Sequence, residues 1–298
     1  MVVTGGAGFI GSHIADALVA EGHDVHIIDS MVAGKREHVP EGASLHEVDI
    51  LDTAAILPII EGAHTVFHLA ALPRVQFSID HPVEAHQANV NGTLSVLIAA
   101  RDGKARRVVY SASSSAYGEQ KILPLHEDMP AKPVHPYGLQ KYMSELYMTL
   151  FSEVFGVPTV SLRYFNIYGP RLDPNGAYAL VIGKFLQLRT EGKALTITGD
   201  GSQTRDFTHV FDAVRANLLA SESEHVGKGE VVNIGVGKNT SMNELADLIG
   251  GEREYIPARI EAMHTQADNR RAKELLGWEP TITLEEGVAE LKREWGLD

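Results

Sequence analysis

The chain has 298 residues, 44% hydrophobic and 22% charged, with a formal net charge of -13 and no cysteine. This is the composition of a soluble globular protein able to bury a large core, and the missing cysteines exclude disulfides, zinc–thiolate sites and thiol nucleophiles. The acidic balance, with no basic run longer than Arg106-Arg107 or Arg270-Arg271, argues against a nucleic-acid partner; no apolar run approaches the ~20 residues of a membrane span, so a cytoplasmic protein without a membrane partner is expected.

Met1 to Thr4 is a short apolar run, after which Ile10, Ile14, Ala17 and Leu18 recur at helical spacing. A strand therefore gives way to an amphipathic helix. The strand begins at Met1 itself, which leaves room for a native start a few residues upstream. The turn between strand and helix holds glycines in two registers, Gly6-x-Gly8-x-x-Gly11 and Gly5-x-x-Gly8-x-x-Gly11. Either one gives a tight turn, a backbone that can approach a pyrophosphate, and close packing of helix on strand. Val25 to Asp29 reads as the second strand. Asp29 falls about 20 residues past the glycines, where a carboxylate accepts both ribose hydroxyls of adenosine and repels a 2′-phosphate, so NAD is expected rather than NADP.

A polar loop through Gly34-Lys-Arg36 leads to a strand, Ser44 to Asp49, whose end with Asp49-Ile50 faces the adenine in this architecture. A helix closes at Leu57 to Glu61, and Thr65 to Ala71 is the fourth strand, with Ala70 and Ala71 small enough to admit a cofactor edge. Val83 to Arg101 reads as one long helix with an apolar stripe through Leu94, Leu97 and Ile98. His81, Glu84 and His86 lack the i, i+4 histidine spacing of a helical zinc site, so no metal is expected.

The fifth strand, Arg106 to Ser111, runs into a serine cluster through Gly118, where open α/β sheets bind ligands. Tyr137-Gly-Leu-Gln-Lys141 opens an amphipathic helix, and its i, i+4 spacing sets a phenol and an ammonium on one face. An unperturbed tyrosine has a pKa of ~10, so a phenol base needs help; a fixed ammonium beside it would favour the ionised form.

The wider glycine register, the strand-end serine and Tyr137-x-x-x-Lys141 together resemble the extended short-chain dehydrogenase/reductase family, specifically nucleotide-sugar 4-epimerases of the UDP-galactose 4-epimerase type. The resemblance spans essentially the whole chain. It implies an α/β fold, a Rossmann-like doubly wound parallel sheet over 1–168 with 208–238 returning to it, and a smaller α/β substrate lobe over 169–207 and 239–298. It implies Tyr137 as the base, Lys141 as its partner and ribose anchor, and Ser113 as the hydroxyl on the sugar 4-OH, with Ser114 its nearest rival. For NAD it implies Gly5, Gly8, Phe9, Ile10 and Gly11 at the pyrophosphate turn, and Asp29, Asp49 and Ile50 around the adenosine. Leu69, Ala70, Ala71, Asn89, Ser111, Tyr137, Lys141 and Phe165 complete the cofactor set, with Phe165 bordering the nicotinamide.

For a UDP-sugar substrate the resemblance implies Asn166 and Arg205 on the diphosphate, and the Asp173 to Ile182 segment, Val181 included, against the uracil. Thr265 falls where the family sets pocket size, and a small residue there leaves room for an N-acetyl group. Arg205 has a simpler alternative, an ion pair with Asp206 or Asp212. Pro257-Ala-Arg-Ile-Glu261 only approximates the family's diphosphate motif, with Arg259 one place late. Sugar-nucleotide 4,6-dehydratases carry Asp-Glu where Ser114-Ser115 stand, which favours epimerase over dehydratase. The expected reaction is epimerisation at C4 of UDP-glucose or UDP-N-acetylglucosamine through a 4-keto sugar, in a homodimer. A UDP-glucuronate 4-epimerase, or another nucleotide-sugar dehydratase or reductase, is the alternative; a non-catalytic dinucleotide sensor would have no use for the serine, tyrosine and lysine together.

Overall fold

A computed structural model describes residues 1–174, 181–257 and 262–297. The first half of the chain alternates strand and helix: β1 Val2–Thr4, α1 Phe9–Ala20, β2 Val25–Asp29, β3 Ala43–Glu47, α2 Thr53–Ile60, β4 Val66–His68, α3 Val75–Asp80, α4 Pro82–His86, α5 Gly92–Asp102, β5 Val108–Ser113 and α6 Pro136–Phe155. Then come β6 Thr159–Tyr164, β7 Ile167–Tyr168, α7 Val181–Thr190, β8 Leu195–Thr198, β9 Thr204–Asp206, β10 Thr208–His209, α8 Val210–Glu222, β11 Glu230–Ile234, β12 Asn239–Ser241, α9 Met242–Ile249, β13 Arg253–Ile256, α10 Arg270–Leu276 and α11 Leu284–Glu294.

Seven strands pair in parallel in the order β3-β2-β1-β4-β5-β6-β11. The order reverses between β1 and β4, so a crevice opens there at the carboxyl ends of the strands. The central strands carry apolar residues on both faces because both faces are covered. On one face Val3, Ile27, Phe67, Val109, Val160 and Val232 pack with α1, α8 and α10. On the other, the alternate residues Val2, Ile28, Val66, Val108 and Tyr110 pack with α2, α5 and α6.

A third cluster, including Tyr168, Phe185, Leu195, Ile197, Leu245, Ile249 and Leu291, is built from later residues. Between these masses the chain breaks its sixth strand. The run from Leu162 to Gly169 reads as one strand in the sequence; the structure divides it into β6 and β7 at Phe165-Asn166. Asn166 takes φ 34, its side-chain amide donates to Asp206 O at 2.8 Å, and its carbonyl accepts from Thr208 N. The helix expected over Val83 to Arg101 is likewise interrupted by a π turn at Gln87–Asn91. Trp278, Ala272 and Leu276 pack into the core of the sheet, although they stand in the stretch expected to form the separate lobe.

Candidate active site

The turn after β1 is shaped by glycine. Gly5 has φ 70, and a Cβ on it would sit 2.8 Å from Ala70 N. A Cβ on Gly11 would lie 2.2 Å from Gly5 O, so α1 could not pack against the turn with any larger residue there. No side chain caps α1 at Gly8. The turn therefore brings bare backbone, with Phe9 and Ile10 in the first helical turn, and the positive end of the helix dipole to one place.

Asp29 closes β2 and is buried; its two carboxylate oxygens accept from Ala7 N at 3.0 Å and Met31 N at 2.9 Å. A carboxylate has further lone pairs for ribose hydroxyls. Gly34 lies against it, and a Cβ there would stand 2.7 Å from Asp29 Oδ1. Asp49 is exposed and accepts from Leu51 N, while Ile50 is buried against Gly92. Leu69, Ala70 and Ala71 follow β4, partly buried, with Ala70 N donating to the Thr4 hydroxyl.

Asn89 sits at the centre of the π turn, a local geometry often found at functional sites. Its amide is spent on protein: Oδ1 accepts from Leu72 N at 2.7 Å, and Nδ2 donates to Leu72 O at 3.1 Å and to Gln140 Oε1 at 2.8 Å. Its carbonyl accepts from the hydroxyls of Thr93 and Ser144. Asn89 thus ties the loop after β4 to α6, next to Lys141.

Helix α6 starts where the sequence signals it. Pro136 takes the first position, His135 Nδ1 accepts from Gly138 N at 3.0 Å as N-cap, and Gly156 ends the helix at φ 67. Tyr137 and Lys141 both lie on its buried face. Tyr137 N donates to the buried Ser78 hydroxyl, and the Tyr137 phenol stands beside Ser113, the last residue of β5. Burial pushes the phenol up to about 12, which the Ser113 hydroxyl partly offsets. Lys141 Nζ donates to Ser111 O at 2.7 Å and stands 4.8 Å from the centre of the Tyr110 ring. Burial brings its ammonium down to about 7. The sequence reading has the ammonium lowering the phenol; with protein groups alone, burial governs both.

Ser111 donates from its hydroxyl to Tyr164 OH, which also accepts from Asn217. Ser113 Oγ accepts from Ser115 N and caps the 3-10 turn Ser114–Ala116. Phe165 is wholly buried and clusters with Tyr117, Leu125 and Ala267. Arg205 donates to Thr204 O and, at 3.3 Å, to Met263 O. Of its two suggested partners, Asp206 accepts three backbone N–H groups, from Val236, Gly237 and Ala267. Asp212 accepts from Thr281, Ile282 and Arg215. Thr265 N donates to Thr204 O, and its buried hydroxyl oxygen has no hydrogen-bond partner among the described residues. Val181 opens α7, partly buried. Asn175 to Leu180, Arg259 and Glu261 lie outside the described residues.

Sequence reasoning missed a layer beneath these groups: Thr4, His68, Tyr110, Ser78 and Gln140. His68 is buried between the hydroxyls of Thr4 at 2.8 Å and Thr93 at 2.9 Å, with its ring stacked on Tyr110 at 5.4 Å. Burial lowers its pKa to about 3, so it is neutral. Only the alternation of β4 and β5 hints at these residues, and it does not distinguish them from ordinary core.

A family model described as "NAD dependent epimerase/dehydratase family" matches residues 1–235. The chain is 37% identical over 302 residues to the UDP-glucose 4-epimerase of Mycolicibacterium smegmatis, covering 97% of this chain and 96% of the relative. Among solved structures it superposes with a TM-score of 0.93 on the UDP-glucose 4-epimerase of Thermotoga maritima with UDP-glucose, at 38% identity, covering 99% of this chain and 97% of that one. It superposes with a TM-score of 0.93 and 36% identity on a UDP-N-acetylglucosamine 4-epimerase from Methanobrevibacter ruminantium M1 in complex with UDP-N-acetylmuramic acid, with the same coverage.

Proposed function

The chain belongs to the NAD dependent epimerase/dehydratase family, and within it we propose that it interconverts the C4 epimers of a UDP-sugar, with UDP-N-acetylglucosamine or UDP-glucose as substrate. The observation that carries this reading is the convergence of Ser113, Tyr137 and Lys141, from the end of β5 and one face of α6, beside a turn whose glycines and Asp29 fit a dinucleotide. NAD, when bound, supplies a hydride acceptor for C4 and a fixed positive charge in the site.

Tyr137 takes the proton of the sugar 4-OH and holds it until it returns to the epimer. The phenolic oxygen therefore needs no path to solvent, which suits its burial. Ser113, beside the phenol, orients the 4-OH and keeps the proton path short. Lys141 anchors the cofactor ribose while its charge favours the phenolate. The 4-keto sugar must turn within the site and take its hydrogen back on the other face, so there is no net oxidation. Arg205 and Asn166 hold the diphosphate, and Arg205 has the fork geometry for it.

The sugar reading rests on Thr265, a small side chain whose buried hydroxyl has no hydrogen-bond partner among the described residues. Asp173, whose carboxylate would repel that of a uronate, supports it less, because its ion pair with Lys35 at 3.1 Å takes up part of that charge. The proposal includes the two-lobe division described above, a homodimer, and a cytoplasmic location.

The test is to incubate the purified protein separately with UDP-glucose, UDP-N-acetylglucosamine and UDP-glucuronate and to identify the products. The C4 epimer of one of the first two, with no accumulation of NADH, is expected. Loss of water, net reduction, or a preference for the uronate would overturn the reading. Thr265→Tyr is the internal control and should depress N-acetylhexosamine turnover selectively.

A further inference from the structure

Lys141 is a buried cation with little to hold its charge. Among the described residues its partners are one carbonyl, Ser111 O at 2.7 Å, and the Tyr110 ring, and no carboxylate pairs with it. The nearest acid on its own helix, Glu145, is bonded to Arg163 by two hydrogen bonds. From β4, His68 faces the same Tyr110 ring and is neutral, with both ring nitrogens engaged by Thr4 and Thr93. From α6 itself, Tyr137 is protonated when protein groups act alone.

We propose that Tyr110 is a positioning residue for Lys141, the face of its aromatic ring holding the ammonium in place and charged. The ring centre lies 4.8 Å from Nζ, within the range where the negative π face attracts a cation, and the attraction is strongest where water is excluded. Both groups are buried, Tyr110 being 1% and Lys141 4% exposed. The cluster to which Tyr110 belongs is mostly aliphatic, with Val2, Ile28, Val66, Val96 and Leu97 among its members. The stack with His68 fixes the ring's plane. The consequence for turnover rests on the epimerase reading; the contact itself does not.

The experiment replaces Tyr110 with Phe and then with mono-, di- and trifluorophenylalanine, which keep the ring's shape while draining its π face of negative charge. In the NAD-loaded protein, a 13C-lysine NMR titration reads the pKa of Lys141, its signal identified by its loss in Lys141→Arg. Tyr110→Phe should leave that pKa within ~0.3 unit, and successive fluorines should lower it stepwise by ~1 unit in all, moving the alkaline limb of the kcat profile equally and leaving KM unchanged. A flat series overturns the proposal. So does a shift already complete in Tyr110→Phe, which would assign the effect to the hydroxyl. If the stepwise shift occurs but no UDP-sugar is epimerised, Tyr110 still positions Lys141 and it is the catalytic reading that fails.

Discussion

Lys141 shows what a buried ammonium costs the fold. In the unfolded chain its ammonium titrates near 10.5, and in the folded protein burial brings it to about 7. Between those values the unfolded chain binds more protons, so stability rises with pH across this window, and below pH 7 the folded state carries the full cost of burying the charge. Lys141→Met should therefore stabilise the protein at pH 6.5 by on the order of 4 kcal/mol, an advantage that shrinks toward zero near pH 10. Denaturant melts of both proteins at pH 6.5 and 9.5 check this; a gap that does not change with pH would mean that the folded lysine stays charged at its ordinary pKa, as a paired ammonium does. The same substitution should abolish turnover. At Tyr137 the separation runs the other way. Tyr137→Phe keeps the ring, its stacking on His135 and its backbone bond to Ser78, so fold and cofactor should persist while turnover falls by ~10²-fold or more. Near-normal turnover would remove Tyr137 from the mechanism.

At the level of elements, what the sequence discloses is what depends on near neighbours. The alternation Val2/Val3, Ile27/Ile28 and Val66/Phe67 assigns residues to the two faces of the sheet without reference to anything distant. Pro136 and the Ser241/Glu244 capping box announce their helices in the same local way. The two misread elements have distant causes. Asn166 takes a left-handed φ because Asp206 O and Thr208 N, some 40 residues on, engage it. The π turn at Gln87–Asn91 is held by Leu72 and by Gln140 and Ser144 of α6. The glycine turn, Asp29, Tyr137 and Lys141 were legible because spacing fixes them; the Tyr110 and His68 layer was not, because its chemistry lies in ring contacts between strands. Asn89→Ala would strip the Leu72 N–H and C=O of their partner and leave Gln140 unanswered. It should cost ~2–3 kcal/mol and, by loosening the loop after β4, lower the NAD recovered per mole of purified protein. Full stability with full cofactor content would show that the clamp is dispensable.

The whole molecule leaves one surface unexplained by its own packing. Along α6, Leu139, Leu146, Leu150 and Val154 are all exposed, Val154 by 61%, and Val83 on α4 by 71%. Residues 146, 150 and 154 recur at i, i+4 and share one face of the helix, while the opposite face carries Tyr137 and Lys141 into the site. A contiguous apolar stripe of this length is unusual on a monomer and is the mark of an interface. A second copy is the natural occupant, because two α6 helices related by a twofold axis would present identical stripes to each other. Such pairing would also brace the helix that holds both proposed catalytic groups, so its loss should reach the chemistry. Light scattering should give twice the 32.4 kDa chain mass. The double substitution Leu146→Glu, Leu150→Glu should halve that mass, keep the helical circular dichroism, and reduce kcat more than it raises KM, since Arg205 and Thr265, the residues proposed to bind substrate, lie on other elements. A wild-type monomer would reject the dimer outright, and a monomeric variant with unchanged kcat would leave the interface without a role in catalysis.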